Sequence, residues 1–226
     1  MAIECAYRSR EEVDLSWLAA ASRRNQWSLA DDTMSFVSRL VAILEPRIIV
    51  EFGSGESTRA LARAGAAIDP PAKVVALEND PLFRRRTRRA LGRDVATEAD
   101  VLLTPVVVRR WYGKNVPVYH LTRPFLSATG RPELVLVDGP PLPLGGREGS
   151  LLQALHLGRA GTVVLLDDAS RPSEERALAR ALEICGDSVE LVELADFAKG
   201  LAVLVVKSPL EGPAMPPAPS EDGSVE

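Results

Sequence analysis

The chain has 226 residues, 46% of them hydrophobic and 26% charged, with a formal net charge of -4. That length suits one sizeable core, and that charge gives no global attraction to nucleic acid or to an anionic membrane. No run of roughly 18 apolar residues exists to span a bilayer, and the opening MAIECAYRSREEVDL lacks the apolar stretch of a secretory signal.

Cys5 and Cys185 are the only cysteines and form no C-x-x-C pair. Two isolated thiols read as reduced, which suits a cytoplasmic location and leaves no thiolate zinc site. Residues 1–46 read as an N-terminal helical segment. Within it Trp27 and Ser28 stand ahead of a helix over Thr33–Leu44. They are placed to fold over a ligand as a lid, and packing of Trp27 against the core is the plainer alternative.

From residue 47 to 207, apolar runs alternate with helical patterns. The runs are Arg47–Phe52, Lys73–Leu77, Val101–Val108, Leu134–Val137, Thr162–Leu166, Val189–Leu194 and Leu201–Val206. Most are continuously apolar, as strands buried on both faces of a parallel sheet must be. Ser57–Ala64, Leu82–Leu91, Ser150–Leu157 and Ser173–Ile184 fit crossover helices, the last started by Pro172 with Glu174 and Glu175 behind it. The alternation predicts a Rossmann-like, doubly wound α/β sheet of seven strands. Only ADFAKG (195–200) separates the last two strands. That is too short for a crossover helix, so the sheet should be mostly parallel with a terminal antiparallel strand. Residues 208–226 are rich in proline and small or acidic residues, and read as a disordered tail.

The sequence Glu51-Phe-Gly-Ser-Gly-Glu-Ser-Thr58 leaves a strand and enters a helix. Gly53 permits a tight turn, Gly55 a close backbone approach to a ligand, and the helix start offers free N–H groups. A dinucleotide fingerprint has a third glycine or alanine where Thr58 stands, which counts against pyrophosphate binding. Glu51 suits a cationic or amine-bearing ligand instead.

Residues 48–58 resemble motif I of class I S-adenosylmethionine-dependent methyltransferases. The terminal hairpin is also what that class looks like. The resemblance implies that Glu51 helps hold the amino-acid part of S-adenosylmethionine through a network, and that Gly53, Ser54, Gly55, Ser57 and Asp138 also bind the cofactor. Glu78, ending the next strand and followed by Asn79, is placed to accept hydrogen bonds from the ribose hydroxyls. Thr104 and Pro105 lie where an adenine pocket would be, on position alone.

Two acidic strand ends follow: Asp138-Gly-Pro-Pro141 after Leu134–Val137, and Asp167-Asp168 after Thr162–Leu166. Three carboxylates in one cleft repel unless a divalent cation or cationic substrate sits among them. The pattern resembles catechol-type, magnesium-dependent O-methyltransferases, where an acid after the fourth strand and an acid–amide or acid–acid pair after the fifth hold the metal. The resemblance implies Asp138, Asp167 and Asp168 as ligands of Mg2+, which would acidify an acceptor hydroxyl. Two departures stand out. Gly139, Pro140 and Pro141 follow Asp138 where that family has a lysine base, and Asp168 replaces the usual amide. Arg147 and Arg171 are candidates to neutralise the acids or to grip an anionic substrate.

With that lysine missing, Asp138, Asp168 and His120 are the candidate catalytic groups. His120 lies in a loop-like stretch, Trp111–Leu121, with Tyr112 offering similar chemistry; His156 falls in a helical pattern and reads as structural. The cluster Arg84, Arg85, Arg86, Arg88, Arg89 and Arg93 hints at a polyanion but fits a solvated or homodimer-facing helix better. The expectation is a methyltransferase acting on a small-molecule acceptor, by metal-aided O-methylation. The alternatives are metal-independent N- or O-methylation, RNA methylation, or a non-catalytic cofactor-binding protein. An RNA base enzyme would carry an Asn/Asp-Pro-Pro-Tyr/Phe signature, which Asp138-Gly-Pro-Pro does not match.

Overall fold

The apolar runs of the sequence become strands whose side chains alternate between two helix-covered faces. The computed structural model describes residues 2–9, 12–16, 29–94, 99–210, 212–213 and 215. Trp27, Ser28 and most of the tail lie outside the described residues.

The elements are α1 (Ala2–Arg8), α2 (Asp31–Leu44), β1 (Ile48–Phe52), α3 (Glu56–Ala66), β2 (Lys73–Glu78), α4 (Pro81–Asp94), β3 (Ala99–Leu103), β4 (Val106–Trp111) and β5 (Lys114–Tyr119). Then come α5 (Arg123–Thr129), β6 (Leu134–Val137), α6 (Glu148–Leu157), β7 (Val163–Asp167), α7 (Pro172–Cys185), β8 (Val189–Val192) and β9 (Leu201–Val206). The main sheet has seven strands in the order β3-β2-β1-β6-β7-β9-β8. Strands β3, β2, β1, β6 and β7 are parallel, with Val50 opposite both Val75 and Val135. Strand β9 runs antiparallel to both β7 and β8. The expected closing hairpin is present, with its second strand inserted beside β7.

The period of two along each strand sorts the core. Val50, Phe52, Val135, Val137, Val164 and Leu166 face a layer that includes Leu151 and Leu155 of α6 and Ala181 of α7. Ile49, Leu134, Leu136, Val163 and Leu165 face the opposite layer, with Phe36 and Leu40 of α2 and Leu61 of α3. A strand buried on both faces cannot alternate polar and apolar residues, which is why these runs read as continuous. Helix α2 ends with Glu45 in the left-handed region at φ 46°, and Pro46 prevents its continuation.

The segment between β3 and β6 departs from expectation. Val101–Val108 is not one strand. Thr104 still donates to the Glu78 carbonyl at 2.7 Å, but Pro105 has no N–H to extend the ladder, and the chain leaves the sheet. Trp111–Leu121 is not a loop either. It lies mostly in an antiparallel hairpin of β4 and β5 that pairs Val106 with Tyr119 and turns through Tyr112 and Gly113, at φ 46° and 77°. Both turn residues at positive φ match the twist of a two-residue hairpin. Helix α5 was not anticipated. Its N-terminus is capped by Thr122, whose side chain accepts from the Phe125 N–H.

The hairpin is clamped to α6 by the buried amide of Gln153. Its Oε1 accepts from the Tyr119 N–H at 2.9 Å and its Nε2 donates to the Tyr119 carbonyl at 2.8 Å. Tyr112 Oη and His156 Nε2 lie 2.8 Å apart, so both serve this packing. The start of the proline-rich segment is described too: Leu210 and Met215 pack on the same cluster, and the Pro213 carbonyl accepts from Trp111 Nε1 at 3.2 Å. On α4, Arg85, Arg86, Arg88 and Arg89 are exposed, with Arg86 against the Phe83 ring. Among the described residues no helix is long and apolar enough to cross a membrane.

Candidate active site

The C-terminal ends of β1, β2, β6 and β7 open into one cavity of about 450 Å³, lined by residues that include Gly53, Ser54, Glu78, Asn79, Asp138, Arg147 and Asp168. This is where a doubly wound sheet offers a crevice to ligands. The loops after these four strands supply the walls, with Tyr119 at the end of β5.

Glu51 lies fully buried beneath the glycine loop. Its carboxylate accepts from Ser57 Oγ and, at 2.6 Å, from Thr58 Oγ1. Thr58 Oγ1 also accepts from the Gly55 N–H at 2.9 Å. The loop is therefore tied to the strand from both sides of the α3 N-terminus. Burial pushes the Glu51 carboxyl up to about 7, against the opposing pull of the two hydroxyls. Gly53 has φ 105°, and a Cβ there would lie 3.2 Å from the Gly139 nitrogen. Its smallness thus lets the glycine loop pass the Asp138–Gly139 turn. Gly55 has open space around the position of its absent Cβ.

Glu78 is almost fully buried at the cavity wall. Its Oε2 accepts from Ser54 Oγ at 2.6 Å and its Oε1 from the Asp80 N–H at 2.9 Å. Burial raises its pKa, opposed by these same donors. Ser54 thereby links the two segments read as cofactor contacts.

The three aspartates do converge. Asp138, Asp167 and Asp168 each offer an oxygen within 4.8 Å of the others. Arg147 already stands among them. Its Nη2 donates to Asp138 Oδ1 at 2.7 Å and to Asp168 Oδ2 at 2.8 Å, while its Nη1 donates to the Asp167 carbonyl at 2.5 Å. Arg171 Nη1 reaches Asp168 Oδ2 at 2.8 Å from the solvent side. Both arginines thus neutralise the acids. Burial pushes the Asp138 carboxyl well above the usual carboxylate range, with Arg147 opposing and Asp167 adding to the shift. Asp167 is raised as well, by burial and then by Asp168. Its Oδ1 is buried without a hydrogen-bond partner.

By donor chemistry three carboxylates suit a hard divalent cation. The arrangement does not fit one. The guanidinium bridges two of the three acids, and its side chain is 6% exposed. An ion at the centre would have to expel a buried, doubly paired cation, at several kcal/mol.

The other expected residues fall elsewhere. His120 is half-buried after β5, donating its backbone N–H to the Pro105 carbonyl at 2.9 Å. Neither it nor Thr104 or Pro105 lines the cavity. His120's neighbour Tyr119 does, with its hydroxyl buried and without a hydrogen-bond partner. Phe83, Leu142 and Leu144 also line the cavity and are 42%, 59% and 44% exposed. Sequence reasoning missed this apolar rim, because Leu142-Pro143-Leu144 is too short to carry a period.

No family profile and no curated protein matches the chain. Solved structures do. The O-methyltransferase from Bacillus cereus in complex with SAH superposes with a TM-score of 0.62 at 20% identity, over 91% of this chain and 90% of that one. The O-methyltransferase TomG from Streptomyces achromogenes, in complex with SAM, gives 0.61 at 19% identity over 91% and 94%. Cofactor-bound Rv0187 from MTB gives 0.60 at 20% identity over 92% and 95%. The seven-stranded order, the inserted antiparallel strand and these superpositions together establish that this chain has the class I methyltransferase fold.

Proposed function

We propose that the protein is an S-adenosylmethionine-dependent methyltransferase acting on a hydroxyl of a small, largely apolar acceptor. The observation that carries this is the convergence of the Glu51-anchored glycine loop, Glu78 and Asp138 on one cavity at the strand ends of a methyltransferase fold. The structural neighbours with SAM or SAH in complex support the choice of cofactor. Glu51 acts through Ser57 and Thr58 to shape the loop around the methionine end. Glu78 receives the ribose hydroxyls, with Asn79 beside it in the wall.

In the reaction the acceptor oxygen attacks the methyl carbon in line with the sulfonium. The carbon–sulfur bond breaks, and its electron pair stays on sulfur to leave S-adenosylhomocysteine. The hydroxyl proton passes to a carboxylate, for which Asp138 is the cavity-lining candidate. Burial makes that carboxylate more basic than usual, which favours its taking up a proton. Positioning supplies much of the rate, since the displacement needs little beyond alignment. The rim of Phe83, Leu142 and Leu144 favours an acceptor with an apolar body. The divalent ion expected from the acidic strand ends has no part in this proposal, because Arg147 stands in its place.

Calorimetry with S-adenosylmethionine, S-adenosylhomocysteine and NAD tests the cofactor. Binding of NAD alone overturns the proposal. Transfer of labelled methyl to a panel of hydroxylated apolar molecules, against matched amines, then tests the acceptor atom.

A further inference from the structure

We propose that Arg147 is a tethered replacement for a divalent cation in this cavity, so that methyl transfer proceeds without metal and the acid cluster binds none. The inference rests on the methyltransferase reading for its chemistry, but its geometry stands alone. Arg147 leaves the turn after Asp138 and directly precedes α6, so its backbone is fixed by the helix start. Its guanidinium then spans all three acidic positions: one Nη to the carboxylates of Asp138 and Asp168, the other to the Asp167 carbonyl. A guanidinium stays protonated in proteins, so Arg147 is a permanent cation among these acids.

A metal ion would tie the two acidic strand ends together and present positive charge to an acceptor oxygen as it ionises. Arg147 does the first by hydrogen bonds from β6's end to β7's end. For the second, a guanidinium has more N–H donors than these contacts use, and Arg147 lines the cavity beside Asp138. Arg171 closes the outer side of Asp168. Together they hold Asp138 and Asp168 in ion pairs, while Asp167 Oδ1 is buried without a hydrogen-bond partner.

The experiment is a Mn2+ titration of the full chain, read by the electron paramagnetic resonance signal of free Mn2+, on the wild type and on Arg147→Ala and Arg147→Gln. The wild type is expected to leave the free-ion signal unchanged at millimolar Mn2+. The variants, stripped of the tethered cation, are expected to bind Mn2+ roughly tenfold or more tightly than the wild type, and adding Asp168→Asn should abolish the gain. Wild-type binding that Asp168→Asn removes overturns the proposal, whether or not either variant folds. So does a variant that is folded by circular dichroism yet gains no affinity. S-adenosylhomocysteine binding is measured in parallel. Its absence would count against the methyltransferase reading without altering the Mn2+ result.

Discussion

Glu51 shows how one buried side chain couples folding to ligand binding. Its ordinary value is 4.5 and its folded value about 7, with burial the largest cause. Between those values the native state holds the proton more tightly than the unfolded chain does. Its contribution to stability is therefore full below pH 4.5 and is lost as the pH rises through about 7, at up to about 1.4 kcal/mol per pH unit. Glu51→Gln should remove this slope, so the wild-type and variant stability curves from denaturant melts should diverge across that window. Curves that stay parallel would show that Glu51 is not perturbed. The same variant should weaken S-adenosylhomocysteine binding about tenfold or more, because an amide cannot accept both hydroxyl bonds as strongly as a carboxylate. At the other wall, Asp138→Asn should lower kcat by about 10²- to 10⁴-fold if the carboxylate takes the acceptor proton. A kcat within twofold of wild type removes that role from Asp138. Arg147 has a structural duty as well. Arg147→Ala strands buried acids, which costs about 3–5 kcal/mol where no proton or ion compensates.

At the scale of elements, the hairpin of β4 and β5 carries Tyr119 to the cavity, and it does so by lying unusually close to α6. A Cβ on Gly149 would sit 1.9 Å from the Pro117 carbonyl oxygen, so only glycine permits this approach. Gly149→Ala should destabilise the protein by about 1–3 kcal/mol through overpacking, and the displaced Tyr119 should raise KM for the acceptor. An unchanged denaturant midpoint would mean the hairpin and helix are not held in this contact. The hairpin was also the element least legible in the sequence. Val101–Val108 looks like one apolar strand, and only Pro105 marks the exit from the sheet. Tyr112-Gly113 is an uncommon pair for a two-residue turn, Pro117 interrupts the second strand, and Arg109 and Arg110 break the apolar pattern of the first. The parallel strands were legible because double-sided burial forces continuous apolar runs. The glycine loop was legible because its residue types are tied to a turn and a helix start. Arg147 was visible as a neutralising candidate, but a sequence carries no record of which of two cations, one bound and one tethered, fills a set of acids.

At the scale of the whole molecule, the cavity lies where the chain reverses its direction of winding, between β1 and β6. Its walls come from both halves of the sheet: the loops after β1 and β2 on one side, and those after β6 and β7 on the other. A ligand there bridges parts of the fold that also meet through the central strand pair, the shared core and the Gly53–Gly139 crossing. Binding should then raise the stability of the entire cooperative unit rather than of one loop. At a ligand concentration about 100 times Kd the gain is about 2.7 kcal/mol, which in a chain of this size corresponds to a rise in Tm of roughly 5–11 °C. S-adenosylhomocysteine should produce that rise in a thermal melt, with one sharpened transition and no dependence on added Mg2+ or chelator. NAD at the same concentration should leave Tm unmoved, since Thr58 stands where a pyrophosphate loop needs a glycine. A rise that appears only with Mg2+ would place a metal in the acid cluster and displace Arg147 from the role assigned to it. A rise with NAD and none with S-adenosylhomocysteine would transfer the cavity to a different chemistry altogether.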